Sequence, residues 1–249
     1  MMKSVLITGG AKRIGRSLTA YFSEMGWKVF IHCNASMSDA EKLQKQILAD
    51  GGQAEVIAVD LSDAGKLTKS FQELFAREKV DCVINNASAF EYDQPTEIDE
   101  AVFQKSLAVN LFAPTKISEL YYKAEIQTSG CVINILDNKV FALNPDFYSY
   151  TLAKSALLAA TKMMAMSFAP GIRVCGIAPS ITLPSGKQTQ EDFEKTHRLN
   201  LLGVGCTPEE ICRAAMFIAT TASFNGQVLT IDGGQSLMNL ERDVAFLDQ

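Results

Sequence analysis

Histidine is almost missing from this chain. Its 249 residues include two, His32 and His197. They supply neither a metal cluster nor the base of a catalytic triad, and His197 reads as a surface residue. Basic residues are also in the minority: 23 Lys and Arg stand against 28 Asp and Glu, for a net charge of −5. That balance excludes the clustered positive surface that nucleic acid demands. No apolar run approaches the roughly 18 residues of a membrane-spanning helix. The six cysteines (Cys33, Cys82, Cys131, Cys175, Cys206 and Cys212) form no Cys-x-x-Cys pair. They read as thiols of a reducing compartment, not as a disulfide or zinc framework. Repeats, low-complexity tracts and linkers are lacking too. The segment from Met1 to Thr8 runs straight into a strand, which predicts no signal peptide and a cytoplasmic location.

What is present is apolar content of 47%, enough for a sizeable core. The length suits one undivided α/β domain over 1–249. Short β-branched runs begin near Ser4, Lys28, Ala54, Val80, Cys131, Ile172 and Gln227. Amphipathic stretches alternate with them, near 14–25, 38–50, 63–78, 99–126, 149–168 and 207–220. That alternation predicts a Rossmann-like, doubly wound parallel sheet of about seven strands with helices on both faces. Residues 182–205 are the one long insertion without a strand. Ligands of such sheets bind beyond the strands' carboxyl ends, so this insertion reads as a lid. The tail, 235–249, has no place in the alternation and either packs on a neighbouring subunit or frays.

Tyr150 and Lys154 are four residues apart, so a helix places the phenol and the ammonium on one face. A cation there stabilises phenolate and lowers the tyrosine pKa from about 10. A donor useful near neutral pH needs roughly 3–4 kcal/mol of such help. Tyr148 has no lysine at that spacing. Upstream, Thr8-Gly9-Gly10-Ala11-Lys12-Arg13-Ile14-Gly15 follows the first strand and precedes a helix. Glycines in such a turn let the backbone approach a pyrophosphate at a helix N-terminus. Further along come Asp60-Leu61, Asn85-Asn86-Ala87, Asn110, Pro179 and Asp232-Gly233-Gly234.

In this order, and across nearly the whole chain, the motifs resemble the short-chain dehydrogenase/reductase superfamily. The resemblance implies that Thr8, Gly9, Ile14 and Gly15 hold the cofactor's phosphates and that Asp60 and Leu61 contact its adenine. Asn86 and Ala87 would line the cofactor's path, and Pro179, Ile181 and Thr182 would border the nicotinamide. Tyr150 would be the proton donor, Lys154 would hold the nicotinamide ribose, and Asn110 would hold a water in a proton relay. A homotetramer is implied as well. An acid that binds both ribose hydroxyls is missing after the second strand, where His32-Cys33-Asn34-Ala35-Ser36 stands. Lys12, Arg13, His32 and Ser36 could attract a 2′-phosphate there. NADPH is the expected cofactor, although no arginine occupies position 35.

Thirteen residues before Tyr150, where a neutral serine usually stabilises a developing alkoxide, this chain has Asp137. An ionised carboxylate would oppose an alkoxide but could face the N–H groups of a pterin. Asn86-Ala87-Ser88-Ala89-Phe90 and Gly10–Arg16 resemble the pteridine reductases. That resemblance implies that Arg13, Ser88, Phe90, Asp137, Tyr150 and Ile181 contact substrate, with Phe90 stacked on the pterin, Ser88 and Tyr150 touching the cofactor as well, and Asp137 the catalytic partner of Tyr150. The expected reaction is NADPH-dependent reduction of a dihydropterin or dihydrofolate to the tetrahydro form. Three plain roles compete: Phe90 as core packing, Ser88 as a turn residue, Asp137 as a strand-end cap. So do two other functions, a reductase of ketones or 3-oxoacyl thioesters and a non-catalytic nucleotide-binding regulator.

Overall fold

The computed structural model describes residues 2–124, 126, 129–184, 189–238 and 240–246. Seven strands run parallel: β1 (Ser4–Ile7), β2 (Lys28–Cys33), β3 (Ala54–Ala58), β4 (Cys82–Asn85), β5 (Gly130–Ile135), β6 (Ile172–Pro179) and β7 (Val228–Ile231). Their order in the sheet is β3-β2-β1-β4-β5-β6-β7. The helices are α1 (Arg13–Glu24), α2 (Met37–Ala49), α3 (Ala64–Arg77), α4 (Glu100–Leu107), α5 (Ala113–Lys123), α6 (Tyr148–Ser167), α7 (Gln190–His197) and α8 (Pro208–Thr220). Among the described residues no helix is long and apolar enough to cross a membrane.

Side-chain alternation explains the two helical layers. Val5 and Ile7 of β1, with Val29 and Ile31 of β2, pack with Leu18 and Phe22 of α1 and Ile211 and Ile218 of α8. Leu6 and Phe30, one residue out of phase, join Leu67 and Phe71 of α3 and Ile117 and Tyr121 of α5 on the opposite face. Strands buried on both sides can be continuously apolar, as Ser4–Ile7 nearly is. The chain order reverses between β1 and β4, so their carboxyl ends diverge and open the crevice that holds the site.

Three expectations are refined. The long helix over 99–126 is broken by a π turn at Ala108–Phe112 and ends at Lys123. The insertion 182–205 contains α7, started by a reciprocal cap between Thr189 and Asp192; its residues 185–188 lie outside the described residues. His197 is half-buried and does not line the cleft; its ring stacks on Phe193 and its Nε2 lies 2.8 Å from the Cys206 carbonyl. As for the tail, residues 240–246 fold back over the chain's own cleft; residues 239 and 247–249 lie outside the described residues.

Candidate active site

One cleft of about 1120 Å³ runs along the carboxyl edge of the sheet. At one end it is built from the turn after β1. Gly9 has φ +63°, and its N–H donates to His32 Nδ1 at 3.0 Å. Asn86 Nδ2 donates to the Thr8 and Gly9 carbonyls at 2.9 and 3.3 Å. Thr8 Oγ1 accepts from the N–H groups of Asn86 and Ala87 at 2.9 and 3.0 Å. Helix α1 starts just beyond, with Lys12 as an N-cap that makes no side-chain cap bond. Its first N–H groups therefore face the cleft without a side-chain acceptor, as an anion site requires. A Cβ on Gly15 would overlap the Gly9 carbonyl oxygen, so the glycine is what lets the turn pack this closely against the start of α1. The residues present thus suit a dinucleotide.

The 2′-phosphate end departs from expectation. His32 is 2% exposed, and burial pushes its pKa from 6.5 to about 4. The ring is neutral: Nδ1 accepts from Gly9 and Nε2 donates to the Val59 carbonyl at 2.9 Å. It shapes the turn but brings no positive charge. Lys12 pairs with Asp39 at 3.0 Å on exposed surface. Arg13, at φ +53°, donates to the carbonyls of Pro184 and Leu183 at 2.6 and 3.3 Å, tying the turn to the start of the insertion. Ser36, the N-cap of α2, makes no side-chain cap bond and lines the cleft. Asp60 and Leu61 line the same end, where Asp60 Oδ1 accepts from Ser62 N and Oγ.

A pH effect follows from His32. Its folded pKa is depressed, so the stability it contributes is present above pH 6.5 and lost as pH falls towards 4. The loss should be on the order of 3 kcal/mol. Guanidinium unfolding at pH 7 and 4.5 should show that slope in the wild type and its absence in His32→Asn. Equal slopes in the two proteins would refute the assignment.

At the other end, α6 carries Tyr150 and Lys154 in its first two turns. The helix begins after Phe147, held at φ +53°, and the buried Asp93 caps it. Asp93 accepts from Ser149 N at 2.9 Å and from the Ser149 hydroxyl. Tyr150 Oη donates to Asp137 Oδ2 at 2.8 Å. Asp137 Oδ1 accepts from Lys139 N at 2.9 Å, so Asp137 is a strand-end cap and a tyrosine partner at once. Lys154 Nζ donates to the Ile135 carbonyl at 2.7 Å and lies 5.7 Å from the Tyr150 ring centroid.

The expected lowering of the tyrosine pKa is reversed. Burial, then the charge and hydrogen bond of Asp137, hold Tyr150 well above its ordinary value. Desolvation also raises Asp137. Burial lowers Lys154 to about 8. Two groups that both prefer to keep a proton, joined by one hydrogen bond, titrate as a pair. Protonating Asp137 removes the charge that opposes ionisation of Tyr150.

Two other expected residues stand behind the wall. Asn110, 1% exposed, sits in the π turn; its Oδ1 accepts from Ser88 Oγ and Ala89 N, and its Nδ2 donates to Ala89 O. Its amide pins the 88–89 loop and does not line the cleft. Thr8 likewise ties β1 to β4. Thr182 lines the cleft, but its hydroxyl donates to the Ser180 carbonyl at 2.9 Å. Ser88, Phe90, Pro179 and Ile181 do line it. Phe90 is 45% exposed, not core. It stacks on Phe147, with centroids 4.2 Å apart and planes at 19°, and meets Tyr150 edge-on at 4.8 Å. Phe147, Lys139 and Asp93 escape sequence reading because their partners are set by tertiary folding. Among the described residues no cluster could hold a metal ion.

The sequence profile described as short chain dehydrogenase matches residues 3–195. An uncharacterized oxidoreductase of Thermotoga maritima is 30% identical over 248 residues, covering 94% of this chain and 97% of its own. The 3-oxoacyl-[acyl-carrier-protein] reductase FabG of Chlamydia trachomatis is 28% identical over 244 residues, covering 94% and 97%. Among solved structures, FolM alternative dihydrofolate reductase 1 from Brucella suis, in complex with NADP, superposes with a TM-score of 0.89. It shares 37% identity over 95% of this chain and 96% of that one.

Proposed function

The chain belongs to the short-chain dehydrogenase family of oxidoreductases, and from that premise we propose that it is an NADPH-dependent reductase of dihydropterins. The observation that carries this reading is the Asp137 carboxylate, 2.8 Å from Tyr150 Oη, where a ketone reductase needs a neutral donor. The solved NADP complex of a FolM dihydrofolate reductase supports it. When bound, the cofactor supplies the hydride. The turn over Gly9–Gly15 and the free N–H groups of α1 would hold its phosphates, and Ser36, which lines the cleft, would take its 2′-phosphate. Lys154 holds the ribose. Phe90, braced from behind by Phe147, offers a flat face to a heteroaromatic ring, worth about 0.5–1.5 kcal/mol beyond area burial. The proton of the Asp137–Tyr150 pair passes from Tyr150 Oη to a ring nitrogen, and the Lys154 ammonium offsets the charge left on the phenolate.

A pterin with a neutral side chain suits the wall better than the acidic tail of a folate. Lys105 and Lys139 are already paired with Glu91 at 2.5 Å and Asp243 at 2.7 Å. The test is NADPH oxidation with dihydrobiopterin, dihydromonapterin, dihydrofolate, an acetoacetyl thioester and a simple ketone. Turnover of the carbonyl compounds alone would sink the reading and favour the FabG-like one. Asp137→Ser should lower kcat/KM for the dihydropterin by about 100-fold without creating efficient ketone reduction. A variant as active as the parent on dihydropterins would show that the carboxylate has no part.

A further inference from the structure

The C-terminal segment does something that no motif announces. Met238, Leu240, Asp243 and Val244 line the cleft at the end that holds Asp137 and Phe147. What seats them is Asp146, a carboxylate 2% exposed in the loop before α6. It accepts two bonds from Arg242, Nε at 2.8 Å and Nη2 at 2.9 Å, one from Asp243 N at 2.8 Å and one from Tyr92 Oη at 3.3 Å. A buried carboxylate met by a bidentate guanidinium and a main-chain N–H is a strong, directional anchor. Arg242 itself is half exposed, so the clasp closes from outside. Asp243, next in the chain, pairs with the buried Lys139 at 2.7 Å. The Lys139 main chain donates to Asp137, and its ammonium lies 5.0 Å from the centre of Phe147. Phe246 also stacks on Phe147, with ring centroids 6.0 Å apart.

We propose that Arg242 and Asp146 form a clasp that seats residues 240–246 as the outer wall of the chain's own substrate site. Neither side chain lines the cleft, so both are positioning residues. They act through Asp243 and Lys139 on Asp137, and through Phe246 on the Phe147–Phe90 platform. The clasp defines the substrate end and leaves the phosphate turn, at the opposite end, untouched. Its kinetic reading rests on the dihydropterin assignment; its structural reading does not.

Arg242→Ala in the full-length protein removes the guanidinium from outside the cleft. KM for the dihydropterin should rise about tenfold, as for loss of a charge-assisted pair, with kcat within about threefold. Affinity for NADPH, followed by fluorescence titration, should change less than about twofold, and Arg242→Lys should restore part of the KM because one donor can still reach Asp146. Hydrogen exchange without substrate should show faster labelling of 138–147 and 240–246 in Arg242→Ala. An unchanged KM, or NADPH affinity falling in step with it, would overturn the proposal. Should the wild type leave dihydropterins unreduced, the substrate assignment fails while hydrogen exchange still judges the clasp. Unchanged labelling of both segments then refutes the clasp itself.

Discussion

Replacing Tyr150 with phenylalanine should lower kcat for dihydropterin reduction by about 10³, within the range that a positioned general acid contributes. NADPH affinity should stay within about twofold, because the phenol meets Asp137 and Phe90 whereas the phosphate turn lies at the far end of the cleft. The change is nearly isosteric and keeps the ring 4.8 Å from Phe90, so the loss belongs to the hydroxyl and not to packing. Wild-type turnover should also fall as pH rises through about 8. Burial has lowered Lys154 to that value, so its ammonium is present below it and absent above. Once the ammonium is gone, nothing offsets a phenolate that Asp137 and burial already disfavour. Stopped-flow NADPH oxidation across pH 6–10 gives both results. A Tyr150→Phe enzyme within about tenfold of the parent would remove the tyrosine from the proton's path.

Much of this site is legible in the sequence wherever local periodicity or spacing carries it. The strands between the edges β3 and β7 are apolar runs buried on both faces, whereas the edge strands are partly exposed, and the reversal of strand order at β1 and β4 follows from ordinary βαβ connections. Tyr150 and Lys154 share a face because four residues make about one helical turn. Helix α7 is not legible by periodicity, since Gln190–His197 holds one apolar residue, Phe193; its only sign is the Thr189/Asp192 cap. The neutrality of His32 is hidden for another reason. Its partners, Gly9 and the Val59 carbonyl, come from two other strand ends, and desolvation is a property of the assembled sheet. The same holds for Asn110, which sits in a π turn and gives its side chain to the 88–89 loop. Asp243 adds to the upward shift of Tyr150 from the other end of the chain, which no spacing rule could anticipate. Pairwise motifs reveal which groups meet. The sign of a pKa shift depends on everything else around them.

Gly15→Ala should lower NADPH affinity by at least about 100-fold. The added Cβ would overlap the Gly9 carbonyl oxygen and come within 2.7 Å of Asn86 Nδ2 and 2.8 Å of the Gly9 carbonyl carbon. None of these can swing aside as a flexible side chain does. Gly9 is fixed at φ +63° by its bond to the His32 ring, and Asn86 is committed to the Thr8 and Gly9 carbonyls. Relief therefore requires the whole turn to move away from α1, the very spacing that lets main-chain N–H groups reach a pyrophosphate. Overpacking of this kind costs about 1–3 kcal/mol of stability, so folding should survive while binding fails. Gly65→Ala in α3 is the matched control. There the nearest atom to the new methyl is Asp63 Oδ1 at 3.5 Å, and a helical Gly→Ala change should stabilise by about 0.5–1 kcal/mol. Isothermal titration with NADPH and guanidinium unfolding on both variants separate the two effects. If Gly15→Ala bound NADPH within about threefold of wild type, the turn after β1 would not be the phosphate site, whatever its glycines suggest.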